Sequence, residues 1–122
     1  MNELQINISH EILSERIGLV SAQGYINNDG GQAVADAVRR LMDQRCLRIL
    51  IDLEGTTIIN SIGVSILLEI MENLMKQGGH LAFANLSPTI EKTFEIMGLN
   101  QFSTIHSDRD RALRALRDDE LA

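Results

Sequence analysis

The apolar residues of this chain switch between unbroken or alternating runs and a period near 3.6, which separates strand-forming from helix-forming segments. Ile6 and Ile8 alternate with Gln5, Asn7 and Ser9, and an apolar run from Ile17 to Ala22 follows the polar Ser14, Glu15 and Arg16. The pair predicts a hairpin. Asn27, Asn28, Asp29, Gly30 and Gly31 supply turn and cap chemistry. After them Val34, Ala37, Val38 and Leu41 recur at three and four residues, which predicts an amphipathic helix ending near Gln44. Leu47, Ile49, Leu50, Ile51 and Leu53 are too continuous for a strand with one wet face and suit a central strand covered on both sides.

The strand pattern breaks at Asn60, Ser61, Ile62 and Gly63, and a helical period takes over. Val64, Leu67, Leu68, Met71, Leu74 and Met75 fall on one helix face, and Gly78 and Gly79 end the helix. At about 100° per residue, Ile62, Ile66 and Asn73 lie nearly opposite that face, with Ile70 on its flank. The isoleucines are expected to face outwards, either beneath neighbouring loops or as a surface for another protein.

Leu81 to Ala84 predicts a short strand. Ser87 and Pro88 then form the cap and first-turn proline of a helix carrying Ile90, Phe94 and Met97 and stopped by Gly98. Phe102 to His106 reads as a last strand, and Ser107 with Asp110 resembles a capping box before a helix bearing Leu113 and Leu116. The tail after Arg117 is expected to fray. The order β-β-α-β-α-β-α-β-α predicts a single α/β domain with mostly parallel strands and right-handed crossovers.

Composition narrows the function. The 122 residues suffice for one core without disulfides or metals, and 44% hydrophobic with 23% charged residues is ordinary for a soluble domain. A net charge of −6 argues against nucleic acid and anionic membrane as partners. No apolar run approaches the roughly 20 residues of a membrane helix, so no insertion is expected. The start MNELQINISH lacks the regions of a signal peptide, and Cys46 stands alone, which makes the cytoplasm the expected compartment.

Candidate chemistry is sparse. His10, His80 and His106 lack metal-ligand spacing. Neither Gly30 and Gly31 nor Gly78 and Gly79 belongs to a phosphate-cradling motif. Cys46 reads as a buried, inert thiol. Asp52, at the end of an apolar strand, suggests a phospho-accepting receiver module. However, Gln23 to Asn28 offers no acidic pair for Mg²⁺, so Asp52 is expected to bond backbone near the turn. No cofactor is expected, and an enzyme or nucleotide binder ranks last. Ser61 stands out: a hydroxyl at a helix start either caps the helix or, because that end favours anions, accepts a phosphate.

The combination of Gly24–Tyr25–Ile26–Asn27, Leu50–Ile51–Asp52–Leu53, Ile59–Asn60–Ser61–Ile62–Gly63–Val64, Gly78–Gly79, Leu86–Ser87–Pro88 and Phe94 with Gly98–Leu99 resembles the anti-sigma factor antagonists, whose domain is called STAS. The resemblance implies a mixed sheet of about five strands with four helices mainly on one side, spanning residues 1–117 with 118–122 as a tail. It implies a regulatory binding protein, not an enzyme, that binds an anti-sigma factor with serine kinase activity and releases a sigma factor. Phosphorylation at Ser61 would switch it off.

The implied partner surface comprises Asn27, Asn28, Asn60, Ser61, Ile62, Gly63, Ser65, Ile66 and Ile70. Asn60 stands where the family commonly has aspartate, and Ile62 where it has serine or threonine. The alternative is a STAS adaptor or scaffold without phosphoregulation, in a signalling or lipid-transport assembly. The same isoleucines could instead support a homodimer.

Overall fold

A computed structural model describes residues 6–118. The expected fraying of 118–122 therefore falls largely outside the described residues, as does the start of the chain through Gln5. The elements are β1 (Asn7–Ile12), β2 (Ile17–Ile26), α1 (Asn28–Asp43), β3 (Arg48–Ile59), α2 (Ser61–Lys76), β4 (His80–Ala84), α3 (Pro88–Met97), β5 (Thr104–His106) and α4 (Arg109–Arg117). One sheet holds all five strands in chain order; β1 pairs antiparallel with β2, and every later pair is parallel.

That order decides where the helices lie. Each crossover from β2 to β5 steps the same way across the sheet, so crossovers of one hand place α1, α2 and α3 on one face. Val34, Val38, Leu41, Leu67, Met71, Ile90 and Phe94 from these helices pack with Val20, Ile49, Ile51, Leu53, Leu81 and Phe83 of the strands. Phe83 and Phe94 meet edge to face at 5.0 Å between ring centres, a geometry worth about 1 kcal/mol beyond the area it buries. Cys46 lies inside this core.

Among the described residues the opposite face is covered by α4, whose Ala112, Leu113 and Leu116 lie with Leu13 on Ile17, Leu19, Leu50, Ala82 and Ala84. The continuous run Ile49–Leu50–Ile51 thus divides between two cores, as expected of a strand covered on both sides. Asp52, 3% exposed, ties β3 to α4. Its Oδ1 accepts from the Glu54 backbone N–H at 3.0 Å and from Asn85 Nδ2 at 3.1 Å. Its Oδ2 accepts from Arg109 Nη2 at 2.8 Å and Nε at 3.1 Å. Asp52 does bond backbone, but at Glu54 in the middle of β3 rather than near the turn at Asn60, because the strand runs on to Ile59; the ion pair with Arg109, from 57 residues away, is an addition that local sequence could not announce.

Two further details differ from expectation. Asp108, rather than Ser107, caps α4, because its carboxylate accepts from the Arg111 N–H at 2.8 Å. β3 runs on past Leu53 to Ile59, through polar Thr56 and Thr57. Thr56 is buried there with its hydroxyl bonded to the Ala22 carbonyl, so a polar residue serves as a sheet contact.

Candidate functional site: the paired starts of two helices

The strands β2 and β3 end side by side, with Tyr25 opposite Ile58 and Ile26 opposite Ile59, and each runs directly into a helix. The Asn60 N–H donates to the Ile26 carbonyl at 3.2 Å, carrying the pairing into the loop. The two helices then begin alike. Asn27 Oδ1 accepts from the Gly30 N–H at 3.0 Å, and Asn60 Oδ1 accepts from the Gly63 N–H at 2.8 Å. Each asparagine satisfies one of the orphan donors of a first turn, a role short polar side chains fill well.

Glycine is required three residues after each cap for steric reasons. A Cβ on Gly63 would stand 2.3 Å from the Ile26 carbonyl oxygen, and one on Gly30 would stand 2.7 Å from that of Tyr25. The helices can therefore enter close against the strand ends. Gly31 lets α1 approach α2 in the same way, since a Cβ there would meet Ile66 Cδ1 at 2.7 Å.

Ser61 is consequently not the cap. It occupies the first helical position, is exposed, and its Oγ has no hydrogen-bond partner among the described residues. Its carbonyl accepts from Ser65 Oγ at 3.0 Å. The first turn of α2 contains no acidic residue, whereas that of α1 contains Asp29. A hydroxyl free of structural duty thus stands at the positive end of a helix dipole with no acid in its own turn.

Of the other expected surface residues, Asn28, Ile62 and Ser65 are exposed, while Asn27 and Asn60 are half-buried by capping. Ile62 is 52% exposed, as the helical wheel predicts. The outward orientation expected for Ile66 and Ile70 is corrected: they are 8% and 6% exposed and belong to the main core. The cause is α1, which packs along that side of α2 and turns a seemingly polar flank into an interior. Gly63 is buried too, and its role is to let the turn close.

Ile58 is a surface residue that the sequence reading missed. It is 46% exposed on β3, just before the helix that carries Ser61 and Ile62. The register between β2 and β3 shifts between Ser21 and Gln23 and again between Gln23 and Tyr25. Such irregularities re-aim side chains near the end of a strand. The only sequence signal was two adjacent isoleucines before a polar turn, which alternation alone would have divided differently.

Comparison with known proteins agrees with this architecture. The model of the STAS domain matches residues 11–112. The chain belongs to the STAS domain family. It is 24% identical over 95 residues to BtrV of Bordetella bronchiseptica, named as an anti-sigma factor antagonist, covering 78% of this chain and 82% of that one.

An anti-sigma factor antagonist from Mycobacterium paratuberculosis has the same fold, with a TM-score of 0.81, 24% identity and coverage of 93% of this chain and 96% of that one. The Bacillus cell fate determinant SpoIIAA in its phosphorylated form superposes with a TM-score of 0.72 at 19% identity, covering 90% and 99%. This STAS domain has five strands in a mixed sheet and four helices. Among its described residues no helix is long and apolar enough to cross a membrane, and no group of three or more His, Cys, Asp or Glu side chains could hold a metal ion.

Proposed function

We propose that this STAS domain is an anti-sigma factor antagonist that binds an anti-sigma factor with serine kinase activity in the cytoplasm, releases a sigma factor, and is turned off by phosphorylation of Ser61. The observation that carries this reading is that Asn60 performs the capping, which leaves the Ser61 hydroxyl exposed and unbonded. A serine needed as a cap could be phosphorylated only at the cost of the helix start. Ser61 is under no such constraint.

The surface around it suits a charge switch. Ile58 and Ile62 are exposed on either side of Ser61 in the chain, so two apolar side chains flank a neutral hydroxyl. A phosphoserine would add about −1.5 to −2 charges there, and a partner packing on the isoleucines would have to strip that charge of water. The positive end of α2 tolerates the phosphate within the antagonist itself, so the modification would disrupt binding and leave the fold intact. Relatives bearing the name anti-sigma factor antagonist, and a solved phosphorylated form of SpoIIAA, support the reading.

The decisive test incubates the full chain and Ser61→Ala with the cognate anti-sigma kinase and ATP and follows the intact mass. One phosphate on the wild type and none on Ser61→Ala is the expected result; an unmodified wild type would sink the phosphoswitch. The second reading, an adaptor without phosphoregulation, rests on Asn60 and Ile62 in place of the family's usual aspartate and hydroxyl residue. It predicts that Ser61→Asp leaves partner affinity unchanged.

A further inference from the structure

The far end of α2 carries an apolar groove of about 480 Å³ lined by Leu68, Met71, Glu72, Met75, Lys76 and Phe102. Met75 is 45% exposed and Phe102 57% exposed. Met75 is fourteen residues beyond Ser61 on the same helix, roughly 21 Å away at 1.5 Å per residue. Because α2 returns from the end of β3 to the start of β4, this groove and Ser61 lie towards opposite ends of the sheet. A partner seated on Ser61 leaves the groove open.

We propose that this groove is a docking surface for a second copy of the chain, pairing two α2 helices antiparallel about a two-fold axis. Two observations favour a copy over an unrelated protein. An isologous contact needs a projecting group and a recess on one patch, and Phe102 stands exposed at the wall of the groove it would fill on the other copy.

The charges at the groove are also self-complementary. Glu72 and Lys76 lie one helical turn apart, and among the described residues neither has an ion-pair partner within the chain. Antiparallel pairing of the exposed faces, about an axis midway along the helix between Glu72 and Lys76, brings Glu72 of each copy towards Lys76 of the other, closing two equal pairs across the axis. Met75, unbranched, adaptable and 45% exposed, suits a seam of this kind, while the buried Met71 floors the groove beneath it. The patch is small, so the dimer is weak and concentration-dependent.

Sedimentation equilibrium of the full chain tests this, with Kd expected in the range of roughly ten to a few hundred micromolar. Glu72→Lys and Lys76→Glu should each weaken association about tenfold or more, because each places like charges opposite one another. An equimolar mixture of the two variants should associate as the wild type does, since every cross-axis pair is again of opposite sign. That rescue is specific to a two-fold arrangement of these residues.

Phe102→Asp should abolish the dimer, with an unchanged circular dichroism melt showing that the exposed position is not needed for folding. Ser61→Asp should leave it intact, which separates failure of this proposal from failure of the antagonist reading. A monomeric wild type, single variants that associate normally, or a mixture that fails to recover would each overturn the proposal. So would a monomeric wild type that loses capture of the anti-sigma factor on Phe102→Asp, which would assign the groove to that partner.

Discussion

The starts of α1 and α2 share one frame and differ in what they present on it. Both follow neighbouring parallel strands, both are capped by an asparagine, and both have glycine three residues later, pressed against a strand carbonyl. Beyond the cap, α1 continues with Asn28 and Asp29, whereas α2 continues with Ser61 and Ile62. One start already bears an acid in its positive first turn; the other bears a hydroxyl and an exposed isoleucine. Geometry made both turns suitable for negative charge, and only the second presents a free hydroxyl, on which the proposed phosphate would sit.

The largest expected effect tests that asymmetry. Ser61→Asp should weaken binding of the anti-sigma factor about 100-fold by placing a charge against an apolar contact. Asn28→Asp, the equivalent change on α1, should cost less than about threefold, because that start is already polar. Isothermal titration calorimetry distinguishes the two, and equal losses would dissolve the distinction.

Stability offers the next comparison. Gly63→Ala should destabilise the fold by about 3 kcal/mol, because the strand carbonyl it would strike cannot move aside. Gly30→Ala should cost about 2 kcal/mol, since its contact is longer and its second neighbour is the tip of Ile6. Urea unfolding gives both values, and the reverse order would mean that the two turns relax differently from their resting geometry.

Smaller effects should follow from the caps. Asn27→Ala and Asn60→Ala are each expected to cost about 1 kcal/mol in the same assay, whereas Asn60→Asp should stay within about 0.5 kcal/mol of the wild type, because aspartate caps as well as asparagine. A large loss for Asn60→Asp would show that the amide group has a further role at this start.

The smallest effect concerns pH and lies away from both starts, whose caps are amides and do not titrate. Burial lowers the pKa of His106 below its usual 6.5, opposed by the negative charge of Asp108. Its unfolded form therefore binds the proton more readily, so this contribution to stability is complete above pH 6.5 and is lost as the pH falls through and below that value. Urea midpoints at two pH values should fall less on acidification for His106→Gln than for the wild type; identical slopes would remove His106 as the cause.

Much of this was legible in the chain because it depends on near neighbours. Asn27, Ser87–Pro88, Gly78 and Gly98 announce helix ends through local backbone chemistry, and the period change after Asn60 locates the turn before Ser61. The helical wheel also places Ile62 outside correctly. It fails for Ile66 and Ile70 because a wheel knows only its own helix, and burial there is imposed by α1.

The order of elements and the hydroxyl at a helix start could be read from the chain because both rest on short-range spacing, and the STAS likeness because its motifs are contiguous stretches of sequence. That Asn60 rather than Ser61 caps α2, that Ile58 joins Ile62 outside while Ile66 and Ile70 go in, and that Asp52 meets Arg109 emerged with the packed fold. Each of these depends on which surfaces come together across the sheet, and hydrogen bonds and burial over such separations leave no periodic trace in a single strand or helix.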